Sequence, residues 1–143
     1  MASVLDVAEY ILKKGGSMTA MKLQKLVYYS QAWSLVWDDK PLFKERIEAW
    51  ANGPVCPKLY QAHRGEFSVS AGHFNGDASV LNSEQCETVD SVLKHYGDKT
   101  PQWLSDLTHA ELPWREARVG MSASERGSTE ITHASMVEYY GSL

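Results

Sequence analysis

The 143 residues are enough for one domain, taken as 1–143, and the 43% hydrophobic and 22% charged content exclude general disorder. No apolar run approaches the ~20 residues of a membrane span, and Met1-Ala2-Ser3-Val4-Leu5-Asp6 lacks the basic start and apolar stretch of a secretory signal, which predicts a cytoplasmic protein with no membrane partner. The net charge of −4 is uneven, +2 over residues 1–60 and −6 over residues 61–143, a balance that suits a basic protein partner better than a phosphate backbone.

Val4, Ala8, Ile11 and Leu12 recur at helical spacing, with Ser3 placed to cap their start and Gly15-Gly16 to end them. Thr19 then caps a second segment, Ala20 to about Trp37, in which Leu23, Leu26, Val27, Ser30, Trp33 and Trp37 share a face; this is the expected core helix. Tyr28 and Tyr29 lie about 100° apart on it, so at least one of them is expected at the surface. Asp38-Asp39-Lys40-Pro41 stops the stripe. Arg46–Ala51 alternates loosely ahead of Asn52-Gly53-Pro54 and is expected to form a short strand. Pro57 opens a short helix through Leu59, Tyr60 and Ala62.

Gly65 to Ala78 reads as a long, mobile loop with at most a brief extended piece at Phe67–Ser70. Asn82 or Ser83 caps a helix lined by Val89, Val92, Leu93 and Tyr96 and closed by Gly97. Thr100-Pro101 opens another with Trp103, Leu104 and Leu107, and Pro113 starts a short one through Ala117. Ile131 is expected to be extended, and His133 to Tyr140 to be a last helix with Met136, Val137 and Tyr140 inward. The fold class is therefore mainly α, a single compact helical domain with at most a small two-stranded β element.

Catalytic and cofactor motifs are missing. The histidines at 63, 73, 95, 109 and 133 make no H-E-x-x-H and no pair at i, i+4. His109-Ala110-Glu111 resembles a fragment of a deaminase signature but lacks the Pro-Cys-x-x-Cys that would complete a zinc site. Cys56 and Cys86 stand far apart and read as reduced thiols, and Cys86, beside Glu84 and Glu87, is a poor nucleophile candidate. Ser30, Ser34 and Ser105 have no G-x-S-x-G elbow, and no glycine pattern cradles a phosphate. No enzyme, no cofactor and no metal are expected. Five Trp and seven Tyr are the better clue, since such side chains either fill cores or anchor interfaces.

The stretch Thr19-Ala20-Met21-Lys22-Leu23-Gln24-Lys25-Leu26-Val27-Tyr28-Tyr29-Ser30-Gln31-Ala32-Trp33 resembles the opening signature of the Panacea, or SocA-like, antitoxin family, K-L-Q-K-L-x-Y-Y. Pro41-Leu42-Phe43, Ile47-Glu48-Ala49-Trp50, Gly53-Pro54-Val55 and Leu59-Tyr60 are similar to its P-L-F, I-x-A-W, G-P-V and L-Y blocks in the same order. Leu107-Thr108-His109 with Glu111, Pro113, Trp114 and Ala117 resembles the T-H-x-E-x-P-W block, and Ile131 with Tyr139-Tyr140 the closing one, so the likeness spans about residues 4–141. The loop from Gly65 to Ala78 aligns with no block.

The resemblance implies a mainly helical antitoxin that binds and blocks a cognate toxin protein, in some members handing it to a cellular protease or acting in phage defence. Self-association stays open. Tyr28, Trp37, Trp50, Arg64, His73 and Phe74 are the candidates for partner contact, while Leu23, Leu26, Trp33, Gly53, Pro54, Thr108, His109, Glu111, Pro113 and Trp114 are read as structural, Thr108 and His109 by bonding helix-end backbone groups. The alternative is a helix-turn-helix regulator in which Lys22, Gln24 and Lys25 face the major groove; the acidic balance counts against nucleic acid.

Overall fold

Ser3 and Thr19 open the two helices on which the rest of the chain packs. The computed structural model describes residues 1–143. Ser3 accepts from the Asp6 amide while the Asp6 carboxylate accepts from the Ser3 amide, a reciprocal cap that starts α1 (Val4–Gly15). Gly16, at φ 81°, ends it in a conformation that favours glycine. A two-residue strand, β1 (Met18–Thr19), leads into α2 (Ala20–Trp37), whose first turn is capped by Thr19 Oγ1 accepting from the Lys22 amide at 3.1 Å.

α2 is buried without interruption from Leu23 to Ala32, because α1, a hairpin and three later helices enclose it. The hairpin is β2 (Glu48–Trp50) and β3 (Gly53–Val55), antiparallel with Trp50 opposite Gly53. It is followed by α3 (Pro57–His63), by β4 (Ser68–Val69) paired antiparallel with β1, and by a single 3₁₀ turn at Ala78–Val80. Helices α4 (Ser83–Tyr96), α5 (Pro101–Ala110), α6 (Leu112–Ala117) and α7 (His133–Tyr140) complete the chain, and α2 packs against α4, α5 and α7 as well as α1 and β3. Residues 129–131 run beside β2, with the Ala49 amide donating to Thr129 O and the Ile131 amide to Ile47 O. No helix is long and apolar enough to cross a membrane.

The fold is mainly helical as expected, with two small ladders where the sequence suggested at most one. Three further expectations change. Tyr28 and Tyr29 are both fully buried, 1% and 0% exposed, because α2 has no wet face to receive either ring. The loop from Gly65 to Ala78 is tied to α1: both oxygens of the buried Glu9 carboxylate accept from the Gly72 amide, Asp6 accepts from the Asp77 amide, and Phe74 is buried. Val137 faces outward at 43% exposure, while Met136 and Tyr140 fill the inner side of α7.

Polar groups on so enclosed a helix need internal partners. Gln31 supplies the clearest case, its Oε1 accepting from the Leu42 amide at 2.8 Å and its Nε2 donating to Phe43 O at 2.8 Å, which fastens the returning chain to the middle of α2. Replacing Gln31 by Leu strands a buried amide and a buried carbonyl, so urea unfolding should show a loss of about 3 kcal/mol. A loss below about 0.5 kcal/mol would mean that the 41–43 crossing takes its position from packing alone.

Candidate partner-binding site

The side of the molecule where the N-terminal end of α2, the hairpin and α3 meet carries a groove whose floor is Tyr60. Three adjoining cavities, of about 330, 300 and 190 Å³, all include this half-buried ring in their walls. The first lies between Met21, Trp50, Asn52, His63 and Arg126, and the second runs on past Phe67 to Pro101. The third is bounded by Pro57, Gln61, Arg64 and Arg126. Trp50 and Tyr60 meet edge to face at 4.9 Å between centroids, an arrangement that fixes both rings. Phe67 (81% exposed) and Met21 (37%) give the rim apolar surface.

The floor is anchored in the core. Gln24 Oε1 accepts from the Cys56 amide at 2.9 Å, and its Nε2 lies 3.0 Å from His63 Nε2, which can accept only as the neutral ring. Burial pushes His63 below the ordinary imidazole range, in keeping with that neutral form. Burial also raises the Cys56 thiol to about 11, which leaves it protonated and inert. Trp114 Nε1 donates to Trp50 O at 2.8 Å from below.

Over the groove hangs the segment from Val119 to Glu130, and one buried side chain shapes it. Arg118 donates to Ala49 O, Ser122 O, Glu125 O and Arg126 O, and its guanidinium lies 5.3 Å from the Trp114 ring centre. Gly127, at φ 78°, leaves the space this needs, since a Cβ there would come within 2.6 Å of Arg118 Nη1. The result places the exposed Arg126 guanidinium 3.9 Å over the Trp50 ring.

Of the six residues expected to contact a partner, two line this groove: Arg64, exposed on its rim, and Trp50, only 9% exposed but with its ring in the wall. Tyr28 is a core residue whose hydroxyl lies 3.0 Å from that of Tyr140, and Phe74 is buried beside His63, so neither offers surface in this fold. Trp37 is 49% exposed but sits at the far end of α2, about 24 Å from Met21 by helix rise. His73 is exposed on the neighbouring loop, its Nε2 3.3 Å from Ala62 O. The major-groove arrangement is overturned: Gln24 and Lys25 are each 1% exposed, and Lys22 Nζ is occupied by Gly97 O at 2.6 Å. Tyr60, Arg118 and Arg126, which also build this groove, were not singled out from the sequence as contacts, and Phe67 shares its loop with Val69 and Phe74, which are buried, so composition alone did not mark it as exposed.

The residues read as structural meet in the interior. Leu23 and Leu26 are fully buried, and Trp33 stacks on Trp37 at 4.8 Å while its Nε1 donates to Tyr96. Glu111 Oε1 accepts from both Tyr29 and Tyr140, at 2.7 and 2.8 Å, and burial raises its carboxyl above the usual range despite those two bonds. Thr108 Oγ1 donates to Ser105 O within α5, His109 stacks on Trp114 at 4.0 Å, and Pro113 is buried at the start of α6. No group of three or more His, Cys, Asp or Glu is arranged to hold a metal.

A family model, Antitoxin SocA-like, Panacea domain, matches residues 23–115. The chain belongs to this family. No curated protein and no solved structure matches it. The matched stretch of the Panacea domain runs from the buried part of α2 to α6 and includes the groove floor, whereas Arg118 and Arg126 lie beyond it.

Within the matched stretch the Panacea domain buries one cation without a partner. Lys25 is 1% exposed, and no hydrogen bond reaches its Nζ. Gly53, at φ 124° and itself buried, covers it; a Cβ there would lie 2.5 Å from Lys25 Cε and 3.2 Å from Thr108 Oγ1. Desolvation lowers the Lys25 ammonium to about 8. The nearby His109 Nε2 is also buried without a partner, and burial, with Lys25 adding to it, depresses that imidazole.

A base whose folded value lies below its unfolded 10.5 costs stability at neutral pH, and the cost fades as pH rises from about 8 toward 10.5. Lys25→Met, of similar volume, should therefore stabilise the fold at pH 7 by roughly 3 kcal/mol, an order-of-magnitude figure. The gap between variant and parent in chemical denaturation should shrink through that pH range; a gap independent of pH would mean that Lys25 is charged and satisfied in the fold. Arg118→Lys, which keeps the charge but not the fork of donors, should speed amide exchange by at least about tenfold over residues 119–130 and leave α2 protected. Unchanged exchange there would show that the segment holds itself.

Proposed function

We propose that this protein neutralises a cognate toxin by direct binding, covering part of the toxin with the groove around Tyr60, and that it does so without a reaction of its own. Family membership supports the antitoxin role in general. The observation that carries the mode of action is the groove itself. It joins a preformed aromatic floor to an exposed apolar rim, the combination found at interface hot spots. Its floor side chains are immobilised before any partner arrives, so little conformational freedom remains to be lost on association.

The interior gives a reaction little support. Among its perturbed groups, Lys25, His109 and Glu111 line none of the three groove cavities, and His63, which lines two of them, has its Nε2 held by Gln24 at 3.0 Å. Binding alone stops a toxin if it covers the toxin's active surface, and an interface of the ordinary size, of order 800 Å² per partner, is sufficient. A bound toxin can then be stored or delivered to a protease. The toxin's half-life in cells with and without this protein separates the two, and the same pair of strains challenged with phage tests a defensive role.

Expression of the neighbouring open reading frame should be toxic alone and harmless with this protein, and the two should co-purify. Tyr60→Ala should weaken the complex by about thirtyfold or more, as loss of a hot-spot residue does, and restore toxicity. Trp37→Ala, at the other end of α2, should leave rescue intact. Rescue without association, or a complex indifferent to Tyr60→Ala in a protein that still melts cooperatively, would move the interface elsewhere.

A further inference from the structure

The smallest of the three groove cavities has a chemistry of its own. Arg64 and Arg126 flank it, and both are exposed. Neither guanidinium takes part in any of the three ion pairs of the chain, Lys40–Glu84, Arg46–Glu48 and Lys99–Asp98. Neither donates a hydrogen bond; the only bond at Arg126 is to its backbone carbonyl, from Arg118. Two forks of donors with no partner inside the chain thus stand beside an aromatic floor, a local positive patch whose sign is opposite to the net charge of −4 from which a basic partner was expected.

The placement of Arg126 is built rather than incidental. Its guanidinium lies 3.9 Å above the Trp50 ring centre and 6.0 Å from that of Tyr60. Arg118 holds the segment that carries it through four backbone carbonyls. A guanidinium lying over a ring leaves its edge N–H groups pointing outward, the geometry that accepts a carboxylate through two parallel bonds. The carboxylate of Glu48, on the same hairpin, is already engaged by Arg46 at 3.2 Å and by Trp50 Nε1 at 2.9 Å, so the chain does not satisfy the pair from within. The adjoining larger cavity, walled by Trp50, Tyr60, Val55 and Met21, has room for an aromatic or branched side chain beside that carboxylate.

We infer that the Tyr60 groove recognises an acidic segment of a protein partner, with an Asp or Glu held between Arg64 and Arg126 and a neighbouring apolar side chain seated against Trp50 and Tyr60. This rests on the groove being the toxin interface as far as the partner's identity goes, but the preference for acid beside an apolar residue belongs to the cleft itself. Nucleic acid is the poorer occupant. No lysine lines any of the three cavities, and Glu66 stands at one end, where a phosphate backbone would need continuous positive surface.

The full chain is titrated with three blocked peptides, acetyl-Gly-Glu-Phe-Asp-Gly-amide, its Gln/Asn counterpart and its Lys/Lys counterpart, while the indole resonance of Trp50 and the amides of residues 60–67 and 124–127 are followed by NMR. The acidic peptide should shift these signals at low millimolar concentration, bind at least about tenfold tighter than the amide peptide, and weaken as salt is raised from about 0.05 to 0.5 M. Arg64→Gln with Arg126→Gln, both exposed and with guanidinium groups in no hydrogen bond or ion pair, should erase the difference between the acidic and amide peptides and leave unfolding cooperative, with the melting temperature lowered by no more than the few degrees that loss of the Arg126–Trp50 contact implies. Equal binding of acidic and amide peptides, tighter binding of the lysine peptide or of a short single-stranded oligonucleotide, or no shift with the acidic peptide up to about 10 mM, overturns the inference. A toxin complex that survives Tyr60→Ala while the acidic peptide still fills the cleft leaves the acid preference standing and removes only the toxin from this groove. A complex lost with Tyr60→Ala in a protein that binds both peptides alike does the reverse.

Discussion

Everything in this fold answers to one constraint, that α2 has no side facing water over its middle ten residues, Leu23 to Ala32. An apolar helix would meet that constraint with oily contacts alone. This one places Gln24, Tyr28, Tyr29, Ser30 and Gln31 in the interior, and each has a hydrogen-bond partner that belongs to the helix itself or to the element packed on it. Gln24 fixes the end of β3, Gln31 the crossing at Leu42 and Phe43, and Tyr29 joins α2 to Glu111. A buried polar group is costly when unpaired, so each of these side chains permits one arrangement of its neighbour and penalises the rest. The helix acts as a template in which direction is set by hydrogen bonds and energy by burial.

Lys25 is the exception. It lies among these satisfied groups with no partner, beside another unpartnered nitrogen on His109 and under a glycine that leaves room for nothing larger. Its amine sits under the hairpin that carries Trp50, so stability is given up at the base of the groove wall rather than at random. The neighbouring column of His109, Trp114 and Arg118, stacked in sequence, carries the hairpin from below. The T-H-x-E-x-P-W block thus supports the hairpin that walls the groove, and none of its residues lines the three cavities.

The helices were legible because caps and stops are local signals. Ser3, Thr19, Asn82 and Thr100 each perform the capping that their position implies, and the bounds of α2 follow directly. What failed was inference about facing. Periodicity distinguishes an apolar face from a polar one only when a helix has two faces, and α2 has one environment all round, which is why Tyr28 and Tyr29 both vanish into the core and why Lys25, an apparent surface charge, does too. The same reasoning misplaced Val137, on a helix only eight residues long, where the stripe is too short to fix its angle. Of the residues lining the candidate groove, Trp50 and Arg64 were among those named from sequence. Arg118 and Arg126 could not be, since what they do depends on backbone carbonyls from Ala49 and the 122–126 turn that no local pattern brings together.

The groove divides along the same line. Trp50, Gln24 and His63 are bonded into the core, so a change at any of them disturbs folding as well as binding. Met21, Arg64, Phe67 and Arg126 project from it through exposed side chains that donate or accept nothing, so they can be exchanged for other residues at small cost to the fold. A floor that must stay and a rim that is free to vary is the arrangement by which one scaffold can be fitted to partners of different surface. Because Arg126 is carried by a segment hung from a single buried arginine, that segment can change its length or charge as long as Arg118 still finds its carbonyls. Under the proposed binding role, specificity would lie with the rim, while the interior of α2 holds the floor in place.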